Sequence, residues 1–184
     1  MIRHAQKGFT LIEFFIALGV AAILLTLAIP SFSTLTMNKR ITTQTNDFIA
    51  SLALARAEAL KRVRRVTVCP SANGTSCAGS GDWEQGWIVF ANLDDDATVD
   101  NGEAILQVNS ALEGGNTLRG SANVAGYISF VASGSARLIG GAFQSGTLVV
   151  CDERGPGDHA RAISLSVTGR SRVEYTAPDT CSPS

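Results

Sequence analysis

Residues 7–29 read KGFTLIEFFIALGVAAILLTLAI. From Phe9 to Ile29 this is an apolar run of 21 residues with one charge, Glu13, near its start. As a helix rising about 1.5 Å per residue it measures about 31 Å, the thickness of a bilayer's hydrocarbon core. It is longer than the apolar core of a cleaved secretory leader, which is about 7–15 residues. Arg3 and Lys7 precede it with no acid between them. Basic residues before an apolar run stay cytoplasmic, so the run's C-terminal end lies outside. An ionised group in hydrocarbon is costly and is kept where it has a partner and a role. Glu13 therefore demands a partner.

The remaining chain is long enough for one domain with a core of its own. Net charge is −1, so an anionic polymer would be met only by a local patch. The region after residue 65 is rich in Gly, Ser, Thr and Val, the composition of short strands and tight turns. The four cysteines are Cys69, Cys77, Cys151 and Cys181. An even count behind an export-type N-terminus suggests two disulfides in an oxidising compartment. Of the three pairings, Cys69–Cys77 with Cys151–Cys181 is favoured. The first closes a short Gly/Ser-rich loop, and the second pins the C-terminal tail to a strand. Zinc is the competing reading, but its tight CxxC spacing is absent.

Pro30 directly follows the apolar run and is a position for a kink. Residues 31–62 read as helix, with Ile41, Phe48, Leu52, Ala55 and Ala59 on one stripe. Period-two runs predict strands near 64–70, 86–91, 104–109, 126–131, 136–139, 147–151, 161–168 and 172–176. The architecture expected is α+β, one long N-terminal helix packed on antiparallel β-sheets.

Gly8-Phe9-Thr10-Leu11-Ile12-Glu13 resembles the prepilin peptidase signature of type IV pilins and type II secretion pseudopilins. The resemblance implies a leader over residues 1–8, cleavage between Gly8 and Phe9, and N-methylation of Phe9. It implies a membrane and assembly helix over 9–30 and a periplasmic pilin-like domain over 31–184. The partners implied are prepilin peptidase, the inner membrane, and other major and minor pilins. No cofactor and no metal are expected. The amine created at Phe9 would be neutralised by Glu13 of an adjacent subunit, since two buried charges attract strongly and each alone is penalised. The alternative is an ordinary secretory leader with an incidental Glu.

A narrower resemblance, to the GspH/FimT group of minor pilins and pseudopilins, rests on later stretches. These are Ala55-Arg56-Ala57-Glu58-Ala59 with Lys61-Arg62, Val66-Thr67-Val68-Cys69, and Trp83-Glu84-Gln85-Gly86-Trp87-Ile88-Val89-Phe90. Two "strand then Gly" units follow, at Ile128–Phe130 with Gly134 and at Ile163–Ser166 with Gly169.

Three charged segments are candidate sites. Asp94, Asp95, Asp96, Asp100 and Glu103 could hold calcium, but they miss the EF-hand spacing, and a solvated hairpin loop is favoured. Residues 154–173 carry Arg154, Arg161, Arg170 and Arg172 against one acid, Asp158. Gly169-Arg170-Ser171-Arg172 matches the Gly-Arg-x-Arg element associated with DNA binding in FimT-type competence pilins. Arginine forks suit phosphate oxygens and give salt-sensitive, sequence-independent binding to double-stranded DNA. The other reading is a surface turn whose arginines pair with Glu174, Asp152 or Glu153. Lys61-Arg62-Val63-Arg64-Arg65 could extend a DNA groove. More simply it places cations at a helix C-terminus, with Arg64 and Arg65 the exceptions.

Enzymatic readings find no support. Beyond the leader only His159 remains, and there is no P-loop, GxGxxG or nucleophile–base spacing. The expected function is a minor pilin or pseudopilin subunit, with DNA binding for natural transformation as the pilus reading. A type II secretion pseudopilin without DNA binding is the alternative.

Overall fold

The computed structural model describes residues 9–78, 82–174 and 177–183, and for residues 27–30 the backbone alone. Gly8 and the rest of the leader expected over 1–8 lie outside the described residues, as do residues 175–176 of the strand expected over 172–176. One helix, α1, spans Leu11–Arg62. Helical backbone runs through Pro30, the position expected to kink. The chain divides into two compact units, Met1–Met37 and Asn38–Ser184.

In the first unit the apolar side chains stand outward. Leu11, Ile12, Phe14, Phe15, Ile16, Leu18, Val20, Ile23, Leu24 and Leu25 are all exposed, as are Phe32 and Leu35. A helix hydrophobic all round needs an apolar surrounding. Among the described residues this is the one helix long and apolar enough to cross a membrane.

The second unit forms around the stripe read from the sequence. Ile41, Phe48, Leu52, Ala55 and Ala59 are each no more than 1% exposed. Two four-stranded antiparallel sheets close on this face. One has the order β3–β2–β1–β5, from Ile105–Asn109, Trp87–Ala91, Val66–Pro70 and Ile128–Phe130. The other has the order β4–β6–β7–β8, from Thr117–Gly120, Gly146–Cys151, Arg161–Leu165 and Ser171–Glu174. Val66, Val68 and Val89 of the first sheet share one core with Leu118, Leu148, Val150, Ile163 and Leu165 of the second. Alternation sends Val149, Cys151 and Ala162 to the opposite face of the second sheet, where Cys181 of the tail packs on them. Cys69, Ile88 and Phe90 form the matching outer cluster of the first sheet, covered by Cys77, Val99, Ile105 and Tyr127.

Two elements depart from expectation. β4 was not expected: Thr-Leu-Arg-Gly is short and carries Arg119, so it lacks an alternating apolar signature. Residues 136–139 do not make a named strand. They form isolated bridges, Phe130 with Ala136 and Arg137 with Phe143. The backbone there closes a tight turn instead, with Leu138 N–H donating to Ala142 O and Gly141 N–H to Leu138 O.

Disulfides join Cys69 to Cys77 and Cys151 to Cys181, across sequence separations of 8 and 30. Each fastens a non-strand segment over the outer face of a sheet. Chain-entropy arguments give about 2.5 kcal/mol for the shorter loop and about 3.6 kcal/mol for the longer. Replacing Cys151 and Cys181 by Ser should therefore cost about 1 kcal/mol more in urea unfolding than replacing Cys69 and Cys77. A reversed order would show that the shorter loop contributes through its packing on Ile88 and Phe90 rather than through chain entropy.

Candidate functional site

Glu13 finds a partner within its own turn. Thr10 N–H and Thr10 Oγ both donate to Glu13 Oε2 at 2.9 Å, while Glu13 N–H reaches Thr10 Oγ at 3.4 Å. This is a reciprocal capping box at the helix N-terminus. The Thr-x-x-Glu spacing was visible in the sequence, but attention to the charge alone passed over it. Phe9 stands fully out to solvent beside it.

The β7–β8 hairpin carries the Gly-Arg-x-Arg element. Its turn is closed by Ser166 N–H donating to Arg170 O and Gly169 N–H to Ser166 O. Gly169 has φ +76°, and a Cβ there would lie 2.1 Å from Gly134 O. No other residue fits that turn without displacing the neighbouring backbone. Gly134 O also accepts from Arg56 Nε of α1 at 3.0 Å, so the two glycine turns are pressed together against the helix. Arg172 lies across from Ser164 on the outer face of the second sheet. Its Nε donates to Glu174 Oε1 at 3.1 Å and to Ser164 Oγ at 3.3 Å. Hydrogen bonding by Ser164 and Arg172 holds the Glu174 carboxyl below the usual range. Arg170 is exposed, and its guanidinium has no partner among the described residues.

The other two arginines of the segment are elsewhere. β7 separates the Arg161 end from the Arg170 turn by about 13 Å. Arg161 Nη1 donates to the carbonyls of Asp158, His159 and Ala160. Arg154 forks onto the buried Asp152 carboxylate and also donates to Asn38 Oδ1 at 2.8 Å. Burial alone would raise the Asp152 carboxyl. The Arg154 side chain and N–H outweigh it, and the group titrates below the usual range. His159 Nε2 lies 3.9 Å from Asp152 Oδ1. The four arginines thus form two pairs at opposite ends of β7.

The basic run after α1 also divides. Lys61 and Arg62 pair with Glu58 at 3.2 and 2.6 Å. Arg65, expected among the exposed exceptions, is buried: its side chain is 7% exposed, with Nε on Asp95 and Nη1 on Ser129 and Arg137 O. Arg64 is exposed and its guanidinium has no partner among the described residues. In the acidic loop, Asp94, Asp96 and Asp100 bring carboxylate oxygens within 4.8 Å of one another. Their loop joins paired β2 and β3, the hairpin favoured from the sequence. Its carboxylates largely tie the loop together: Asp96 accepts from Thr98, and Glu103 from Asp100 N–H.

Comparison with known proteins adds an independent line. The family model of type II transport protein GspH matches residues 44–169. That of the prokaryotic N-terminal methylation motif matches residues 3–29. Among solved structures, the type IV minor pilin FimU of Pseudomonas aeruginosa is similar at 21% identity and a TM-score of 0.62, over 80% of this chain and 98% of that one. The minor pseudopilin EpsH of the Vibrio cholerae type II secretion system is similar at 11% identity and a TM-score of 0.52, over 77% and 98%. At these identities the likeness is one of fold.

Asp152 sets a pH dependence with a definite sign. A carboxyl whose pKa is depressed by folding adds stability above its unfolded pKa and loses it as pH falls through the folded one. The wild type should lose stability as pH drops below about 4. Asp152→Asn should be less stable than wild type at pH 7, with the gap narrowing progressively as pH falls below about 4. Thermal unfolding of both proteins across that range measures it; a constant gap would exclude the ion pair as the cause.

Proposed function

Because this chain belongs to the GspH family, we propose that it is a minor pilin of a type IV pilus whose C-terminal hairpin binds double-stranded DNA. The coarser statement stands on the family and fold: this is a subunit of the minor pilin and pseudopilin class. The finer one is carried by Arg170, an exposed guanidinium without a partner among the described residues, displayed by a turn that only glycine permits at residue 169.

In this reading prepilin peptidase cuts between Gly8 and Phe9, and Phe9 becomes the methylated N-terminus. Phe9–Ile29 crosses the inner membrane, with the domain on the periplasmic side. Entry into the filament transfers the helix from lipid to contact with other pilins. Cleavage places a new cation at Phe9, and Glu13 of a neighbouring helix can leave its Thr10 cap to neutralise it. A carboxylate in an apolar bundle is penalised until that pairing is made, which gives the register of assembly. Arg170 and Arg172 then meet phosphate oxygens on the outer face of the second sheet. Arg172 exchanges Glu174 for phosphate, whereas Arg154 and Arg161 extend the contact only on giving up their present bonds.

The alternative is a type II secretion pseudopilin, favoured by the description of the matching family. DNA titration separates the two. Full-length protein in detergent micelles should bind a labelled duplex in a salt-sensitive manner. Arg170→Gln with Arg172→Gln should weaken binding about tenfold and lower the salt slope by about 1–2, with the melting temperature unchanged. Equal binding by the variant would remove the hairpin from the site, and absent binding by wild type would favour the pseudopilin.

Glu13 is tested by two substitutions. Gln keeps the capping box and removes the charge, whereas Ala removes both. Both variants should insert in the membrane and fall at least tenfold in sheared filaments. Normal incorporation of Glu13→Gln would reduce Glu13 to a helix cap.

A further inference from the structure

The end of the domain that carries Arg170 also carries the end of α1. Val63 follows the helix in the left-handed region, at φ +52°, and Arg64 N–H donates back to Ala59 O at 3.3 Å. This is the C-terminal cap that normally takes Gly, here made by a β-branched residue. It turns the chain out of the helix and leaves Arg64 exposed. Asp95, with φ +66°, is the other non-glycine residue at positive φ among the described residues. Both line one cleft of about 260 Å³, together with Arg64, Arg65, Val131 and Ala132. Backbone in such conformations gathers where a site holds it.

The Val131–Ser135 turn connects this cleft to the Arg170 hairpin. Val131 and Ala132 form the cleft wall, and Gly134 at the other side of the turn is pressed against Gly169. The turn is tight, with Gly134 N–H donating to Val131 O at 2.7 Å, and Ser133 is exposed on it. So Arg64 and Arg170 flank a single turn. Every other cation at this end is engaged: Arg56 with Gly134 O, Lys61 and Arg62 with Glu58, Arg65 with Asp95. The same bonds engage Glu58 and Asp95. Among the described residues at this end, two unpartnered guanidinium groups remain.

We propose that Arg64 is a further phosphate contact, forming with Arg170 a track for a sugar–phosphate backbone across the Val131–Ser135 turn. The proposal rests on the DNA-binding reading and adds to it a residue 106 positions upstream of Arg170. Two cations on either side of a small turn suit the phosphates of one strand. No base edge need be read, so binding is indifferent to sequence.

The test titrates full-length protein in micelles with a labelled duplex at several salt concentrations. Arg64→Gln should weaken binding about fivefold and lower the salt slope by about 1, as one lost phosphate contact does. Arg64→Lys keeps the charge and should restore the slope. Melting temperatures should stay within error, since the Arg64 guanidinium bonds to no other described residue. Unchanged affinity and slope in Arg64→Gln, with Arg170→Gln weakened, would overturn the track and leave the hairpin reading in place. A wild type that shows no salt-sensitive binding would overturn both.

Discussion

Phe48 stands edge-on to both Trp83 and Trp87, with ring centroids 5.1 Å from each. The two indoles are fixed in turn, Trp83 Nε1 donating to Val124 O and Trp87 Nε1 to Ser51 Oγ. One helical side chain therefore locks α1 to β2 and to the segment before it. Buried aromatic polar tips need partners, and both have one, so the contact is fixed in orientation as well as in place. The two sheets share the core built around this point. A single long helix can then serve two environments. Its first unit is apolar on every side, and its second is apolar on one stripe.

That division was legible because period carries it. The run Phe9–Ile29 has no polar face, and the stripe from Ile41 to Ala59 has one apolar face, so length and spacing separate membrane from core. The hairpin around the acidic loop was legible for a similar reason, from apolar strands on either side. β4 was not, because four residues ending in Arg-Gly offer no alternation to read. Its pairing with β6 depends on long-range register, which local sequence does not encode. The segment 136–139 shows the reverse: Ala-Arg-Leu-Ile alternates like a strand, but its backbone is spent on a turn.

The site was less legible than the fold. A charge run reads in sequence as a patch, but position in the chain does not say which arginines remain free. Arg65 is two residues from exposed Val63 and is nevertheless buried, because β1 begins at the next residue and the Arg65 guanidinium bonds to both Asp95 and Ser129. Arg154 and Arg172 each have an acid two residues away, and each is paired with it. Arg161 spends its donors on backbone carbonyls. That Arg64 and Arg170 lie beside one turn was invisible, since it arises from Val131 and Ala132 lining the cleft of Arg64 and from the packing of Gly134 on Gly169, elements far apart in the chain.

For an interface with a polyanion, the number of arginines matters less than what each must abandon. A guanidinium already forked onto a buried carboxylate would have to leave that carboxylate unpaired, a loss that one solvated phosphate contact does not offset. An exposed pair such as Arg172 with Glu174 is worth little and exchanges readily. An unpartnered arginine loses only water. Ranked this way, Arg64 and Arg170 come first, Arg172 next, and Arg154 last. The ranking also assigns the glycine its part: Gly169 contacts no ligand in this scheme, but its left-handed turn against Gly134 sets where Arg170 stands. A side chain at 169 would push the two turns apart and shift Arg170 away from Arg64, so the motif's first residue acts through position and its second through charge.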